Sequence, residues 1–559
     1  MQETSAEYPW TQHYPPGLSW DKIYPPRSLP DMFDQAVATY EKRVCSEFLG
    51  RTITYGEMGQ MVGRAAKGLS EMGIGKGSKV GLLLPNTPTY IIFYYAILKT
   101  GACVVNFNPL YTIPELEYQI GDSETELMIT LDLKLMFDKV EALIEKGALK
   151  KAVIADFSAL LPTVKSFLFK MVKGKEIAKW RDSPMIDKIS SAEQVMFNAG
   201  ERIEVDIDPL HDLAVLQYTG GTTGVPKGAM LTHANLTINV AQIMDWVTNL
   251  EPGTERILGV LPFFHVFAMT TILNFGVAHG AELLLVPKFE LEDTLKLIGK
   301  RKPTVMPGVP TIYTAMLNHP KIKSFDLSSL KFCISGGAGL PGEIRKQFVE
   351  VSGCKLIEGY GLSETSPMAT ANPVEGVPRD GSIGVPVPGT VVTIRSIDDP
   401  TVEMPLTESG EICIKGPQVM PGYWKRPEAT AEVTVDGYFR TGDVGYIAED
   451  GFIYIVDRLK DMIIASGYKV YPRQVEEAIY RFPAVEEVTV IGIPDEYRGE
   501  APKAFIKLKE GKTATAEEIL EFLKGEISKI EQPAEIEFRD ELPKTMIGKL
   551  SKKELREGA

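Results

Sequence analysis

"LQYTGGTTGVPKGAMLTH" spans residues 217–234 and gathers Gly220, Gly221, Gly224 and Gly228 around Thr222, Thr223 and Lys227, directly after an apolar run. Such a loop suits phosphate oxygens: glycines let backbone N–H groups come close, hydroxyls donate, and lysine adds a mobile positive charge. It is not a Walker loop, because Pro226 precedes Lys227 where that motif needs Gly, and Gly228 follows where it needs Ser or Thr. The chain then returns as a short strand, "GAML", so a nest of backbone amides rather than a helix dipole is expected to bind the anion. Glycine and threonine also build plain flexible turns, so the loop alone does not specify a nucleotide.

The flanking sequence alternates helix and strand. Met58, Met61, Val62, Ala65, Ala66, Leu69 and Met72 keep helical spacing; "KVGLLLP" then predicts a buried strand, "TYIIFYYAILKTG" a helix and "ACVVNFNP" another strand. The same alternation recurs from about 211 to 360, which implies parallel sheets covered by helices in two layered αβα lobes. Near Gly381 short β-like runs separated by Gly and Pro predict a small barrel or twisted sheet, and past Asp457 about a hundred residues form a separate α+β unit. The expected fold is α/β, with an N-terminal part over 1–456 (the barrel starting at about 380), a hinge at 457–461 and a small mobile domain over 462–559.

With 74 acidic against 60 basic residues the chain carries a net charge of −14, a field that repels polyanions and argues against a nucleic-acid partner. Five scattered cysteines (Cys45, Cys103, Cys333, Cys354, Cys413) fit neither a disulfide framework nor a close-spaced zinc site. The first residues show no secretory pattern, and a cytoplasmic location follows as the expectation. Ile257 to Ala281 lacks Asp, Glu, Lys and Arg and is long enough to span a bilayer, but Pro262, His265, Asn274 and His279 within it favour a buried strand and helix.

"VGYIAEDGFIYIVDR" predicts two strands around Asp450-Gly451, a strong hairpin signal. If these two residues form the whole loop, Asp443 falls opposite Arg458 at the open end. A carboxylate suits two vicinal ribose hydroxyls, and an arginine beside it can reach sugar or phosphate oxygens; an ordinary cross-strand salt pair would look the same. The segment "LLPTVKSFLFKMVKGKEIAKW" keeps Val164, Phe167, Leu168, Met171 and Val172 at helical spacing beside Lys165, Lys170, Lys173, Lys175 and Lys179. It is either a surface helix with a buried stripe or, through 160–181, a peripheral contact with an anionic membrane face.

"YTGGTTGVPKG" resembles the phosphate-loop signature of the adenylate-forming superfamily, which includes acyl-CoA synthetases, peptide-synthetase adenylation domains and beetle luciferases. "SGGAGLPG" (335–342), "EGYGLSET" (358–365), "YFRTGDVGYIAEDGFIYIVDRLKDMIIASGYKVYP" (438–472) and "LPKTMIGKL" (542–550) follow in family order. The likeness covers nearly the whole chain and is strongest to bacterial-type long-chain fatty acid–CoA ligases. It implies attack of a carboxylate on the α-phosphate of ATP to give acyl-AMP and pyrophosphate, then transfer of the acyl group to coenzyme A.

The resemblance also implies roles. Thr219, Gly220, Gly221, Thr222, Thr223, Gly224 and Lys227 hold phosphates, with Thr219 and Glu364 meeting Mg²⁺. Tyr360 lies against adenine, Gly336, Gly337 and Ala338 supply approachable backbone, and Glu358, Gly359, Gly361 and Ser363 complete the nucleotide site. Asp443 and Arg458 take the ribose, Lys460 is the hinge, and Gly467 and Lys469 meet the pantetheine arm of CoA. Lys549 bridges carboxylate and phosphate during adenylation, and His265 stands at the mouth of the acyl site. "SKKE" after Lys549 is a capping-box pattern that predicts a helix starting at Ser551. Lys469 and Ile464, and Glu531 and Gln532 before Pro533, depart from the residues common in relatives. Rival readings are an aryl-acid or short-chain acid ligase, an acyl-AMP ligase serving a carrier protein, and a catalytically dead lipid-binding regulator. No oligomeric state is legible.

Overall fold

The computed structural model describes residues 8–219, 225–376, 379–466, 468–495, 497–544 and 550–557. Aliphatic runs become the strands of a first sheet, in the order Ile189–Ser191, Lys151–Ala155, Leu127–Leu131, Lys79–Leu83, Cys103–Asn106, Leu213–Thr219. These are parallel, and Lys227–Thr232 closes the edge antiparallel. Their covering helices start at explicit signals. Tyr55–Glu71 opens on a capping box between Thr54 and Glu57 and buries Met58, Val62, Ala65, Ala66 and Leu69. Pro88–Lys99 opens on Pro88 and is buried on nearly every side, as a helix sandwiched between layers must be.

The second lobe repeats the plan with parallel strands Glu282–Leu285, Arg256–Gly259, Val305–Gly308, Phe332–Ser335 and Lys355–Gly361. The uncharged stretch after Ile257 turns out as a buried strand followed by a helical segment from Val266 to His279, whose middle, Met269–Asn274, winds as a π-helix. No described helix is long and apolar enough to cross a membrane. All five cysteines are buried and unpaired in disulfides.

Strands Ser382–Pro386, Val391–Arg395, Gly410–Lys415, Tyr438–Ile447 and Ile453–Arg458 pair antiparallel. They join the second lobe's sheet edge to edge through Met368–Ala371. What the composition change near Gly381 marks is therefore a switch of strand direction within one continuous hydrogen-bonded path. The C-terminal unit has its own apolar core, in which Val475 and Ile479 of helix Pro472–Tyr480 meet Val488, Val490, Ile506, Ile519 and Leu523.

The two lobes are pinned together by buried amides. Asn86 donates to the carbonyls of Gly259 (3.0 Å) and Leu261 (2.7 Å) and accepts from the N–H of Phe263 (2.8 Å). Gln217 donates to the carbonyl of Phe264 and accepts from Asn106, which in turn takes the Tyr90 hydroxyl. Thus the strand that leads into the glycine-rich loop and the segment that carries His265 share one hydrogen-bond network. Asn86→Ala would strip the Leu261 carbonyl and the Phe263 N–H of their partner, while the Gly259 carbonyl keeps the Val286 N–H, a loss of about 2 kcal/mol or more. A clear drop in the thermal unfolding midpoint is expected; an unchanged midpoint would show that the lobes are held together by other contacts.

Candidate functional site

The glycine-rich loop is anchored at both ends. Thr219 pairs with Lys227 and Tyr218 with Gly228, so the strand return expected from "GAML" forms and extends to Thr232. Residues 220–224, named above as phosphate ligands, lie outside the described residues, as do Gly467 and Lys549. The loop's stem is clamped by a segment that the motifs did not single out. Met230 N–H donates to Gly422, Trp424 N–H donates to Gly228, and the Trp424 ring N–H reaches the carbonyl of Asp122. The ammonium group of Lys227 stands 5.4 Å over the ring of Tyr423. Tyr423 in turn donates its hydroxyl to Oε1 of Glu364 at 2.7 Å. Phosphate-loop stem and acid are thereby joined through one aromatic ring.

Glu364 sits on the short turn Ser363–Thr365 after strand Lys355–Gly361 and is buried. Burial holds its carboxyl above the ordinary range, while the Tyr423 hydroxyl and the charge of Arg458 pull it back down. No group of three or more His, Cys, Asp or Glu side chains able to hold a metal occurs among the described residues. A lone buried carboxylate with an oxygen hydroxyl nearby does not cage a cation. It fits a hard ion that takes most of its ligands from a triphosphate and water.

Asp443 and Arg458 do face each other, for a reason other than the one the hairpin signal suggests. The turn is one residue longer than a two-residue loop: Ile447 pairs with Ile453, and Ala448 N–H donates to Phe452. Gly451, at φ +90°, takes the left-handed position that a three-residue loop requires. A β-bulge between Val444 and Gly445 then restores the register, bringing Asp443 opposite Arg458. Arg458 Nε reaches Asp443 Oδ1 at 3.2 Å, and the Tyr360 hydroxyl donates to Oδ2 at 2.6 Å. Both carboxylate oxygens are thus oriented, and the Tyr360 ring is fixed beside them.

Gly336 follows strand Phe332–Ser335, and the Phe267 ring packs against its Cα, two residues beyond His265. Gly337 takes a left-handed φ of +81°, Ala338 is exposed, and Gly359 and Gly361 flank Tyr360 on its strand. His265 is half-buried at the start of the helical segment and accepts the Phe267 N–H through Nδ1 at 3.3 Å. Lys460 is in the short turn Leu459–Asp461, its ammonium pushed below the ordinary lysine range by burial and by Arg458. Lys469 pairs with Ile464 on an exposed hairpin. Ser551 directly precedes helix Lys552–Glu557, in agreement with its capping pattern. Sequence reading missed Tyr423, Trp424 and Arg473; the only signal for the first two is an aromatic pair inside a Gly/Pro-rich turn, "PGYW".

The stem of the glycine-rich stretch, the Tyr360 ring, the Asp443–Arg458 pair and the buried Glu364 stand on strands and turns of two α/β lobes followed by a small C-terminal unit, the architecture of an adenylate-forming enzyme. The model of the AMP-binding enzyme family matches residues 33–424, and that of the AMP-binding enzyme C-terminal domain matches 474–549. A long-chain-fatty-acid–CoA ligase of Bacillus subtilis (strain 168) is 42% identical over 559 residues, covering 99% of this chain and 98% of that one. A ligase of the same description from Escherichia coli O6:H1 is 36% identical, with 98% of each chain covered. The ATP-bound crystal structure of MatB from Rhodopseudomonas palustris superposes with a TM-score of 0.82 at 28% identity, covering 95% of this chain and 99% of that one. The chain belongs to the AMP-binding enzyme family, within the AMP-forming acyl-CoA synthetases, and is an acid–thiol ligase.

Glu358, at the C-terminal end of the second lobe's parallel strands, is buried, and its carboxyl is pushed up to about 7. A raised folded-state value favours the fold most below the unfolded value of 4.5, and this advantage is lost as pH rises from there through about 7. The span is worth about 3 kcal/mol in order of magnitude. Glu358→Gln is therefore expected to raise the unfolding midpoint at pH 8 more than at pH 5; parallel curves would contradict the buried-acid reading.

Proposed function

We propose that the protein activates medium- to long-chain fatty acids with ATP and passes the acyl group to coenzyme A. The observation that carries this reading is full-length similarity to two long-chain-fatty-acid–CoA ligases, together with the joined cluster Tyr360–Asp443–Arg458. In the first step a carboxylate oxygen attacks the α-phosphorus, the bond to the β-phosphate breaks and pyrophosphate leaves. Asp443 receives the ribose hydroxyls, Tyr360 and the 336–338 backbone hold adenine, and residues 219–227 hold the phosphates. Thr219 and Glu364 would meet the Mg²⁺ carried with ATP, which would supply positive charge beside the triphosphate oxygens. Lys549 supplies a further cation where charge develops, and His265 orients the acid. In the second step the CoA thiol attacks the acyl carbon and AMP leaves. Between steps the domain beyond 457–461 turns at Lys460 and brings Gly467 and Lys469 to the pantetheine arm.

Exchange of labelled pyrophosphate into ATP should rise with acid length from C2 toward C18, exceeding that with benzoate or cinnamate. Preference for an aryl or two-carbon acid would overturn the substrate class. Lys549→Ala should cost adenylation about 100-fold or more, and far less the reaction of preformed acyl-AMP with CoA. Equal losses in both would remove Lys549 from its role.

The fatty acid suggests a bilayer as its source. Helix Thr163–Lys173 buries no residue, and Val164 (72%), Phe167 (64%), Met171 (67%) and Val172 (73%) stand exposed beside Lys165, Lys170 and Lys173. An uncovered apolar stripe edged by lysines matches an anionic lipid surface, each lysine adding about 1 kcal/mol near it. Binding to vesicles containing phosphatidylglycerol should fall with salt and with Phe167→Ser/Met171→Ser; equal binding to neutral vesicles, or none, would discard the contact.

A further inference from the structure

Arg473 is the second residue of helix Pro472–Tyr480, the first helix after the 457–461 segment, yet its partners lie on both sides of that segment. Its backbone N–H donates to Oδ2 of Asp457 at 2.6 Å, and its Nε reaches Glu477 on the next helical turn at 3.1 Å. The guanidinium lies against Gly339 so closely that a Cβ there would collide with it. Gly339 ends the "SGGAG" stretch, immediately after the 336–338 backbone. Below it Glu358, buried and accepting the Leu340 N–H, takes Arg473 as its largest favourable charge. Arg473 thereby places a cation from the C-terminal domain against the loop that follows strand Phe332–Ser335.

We propose that Arg473 is a positioning residue that latches the C-terminal domain in the arrangement seen here, with Gly339 as its receptacle and Asp457 and Glu477 holding it in place. This rests on the two-step reading above. A helix that turns about Lys460 cannot keep its guanidinium on Gly339, so the contact belongs to one arrangement of the domains and is absent from the other. Its strength then sets how the enzyme divides its time between the two half-reactions. The space left by Gly339 is specific to this contact, because the neighbouring atom that a side chain would meet is the arginine itself.

The test uses the full-length protein labelled for energy transfer at Lys346→Cys on the second lobe and Glu521→Cys on the C-terminal domain, both exposed, the native cysteines being buried. Arg473→Ala is expected to shift the interdomain transfer efficiency without nucleotide. Gly339→Ala should shift it in the same direction, and the double variant no further than Arg473→Ala alone, since both remove one contact. In the half-reactions Arg473→Ala should change adenylation and acyl transfer from preformed acyl-AMP by factors that differ about 10-fold or more, with Arg473→Lys in between. Unchanged transfer efficiency, additive shifts in the double variant, or equal loss of both half-reactions would overturn the latch. A protein that adenylates no acid would refute the substrate reading instead, and the energy-transfer shift would still decide the latch.

Discussion

The carboxylate of Asp443 is the point on which the site depends. One oxygen takes the Tyr360 hydroxyl and the other the Arg458 guanidinium, so one carboxylate ties together residues from three strands. A buried carboxylate keeps its charge only where such donors compensate for lost water. The same arginine is felt at Glu364, whose other neighbour is Tyr423, and Tyr423 is covered by Lys227. Asp443, Glu364 and the stem of the glycine-rich loop at Lys227 are thus successive members of one polar chain. Displacing any of them changes the electrostatic setting of the next.

That chain is rigid because the backbone under it is rigid. The bulge at Val444/Gly445 is held between strands paired on both sides, and the glycine-rich loop leaves from a strand whose Gln217 is tied to the second lobe. Phe267, one turn from the Asn86-anchored segment, supports Gly336. The stem of the glycine-rich loop thus rests on a contact between lobes, while the bulge and Gly336 are supported within the second lobe's continuous sheet.

Most of the architecture was legible because it is local. Apolar runs of strand length, capping boxes at Thr54 and Thr515, and prolines at helix starts act within a few residues and survive any tertiary context. The Asp443–Arg458 pair was legible through its hairpin, although a longer turn and a compensating bulge achieve it, two departures from simple pairing that cancel at the open end. Tyr423 was not legible: it meets Glu364 across 59 residues, and a tyrosine in a turn carries no mark of what it will touch. Arg473 was hidden for the same reason. The pattern of helix Thr163–Lys173 was readable, but which side would be covered depended on the rest of the fold: Phe169 packs on Phe157, while among the described residues the stripe from Val164 to Val172 stays exposed.

A protein with net charge −14 that handles a tetra-anionic nucleotide must concentrate its few well-placed cations where charge has to be neutralised. Two of them, Lys227 and Arg458, stand on strands Lys227–Thr232 and Ile453–Arg458, one over the Tyr423 ring and the other beside Asp443. Lys549, by contrast, is carried beyond the 457–461 segment. Under the two-step reading proposed above, a cation on a separate unit would be withdrawn once acyl-AMP has formed, so that attraction needed during bond making need not retard release. On this view the acidity of the chain as a whole works with the mobile cation: it leaves the products few alternative positive surfaces on which to linger.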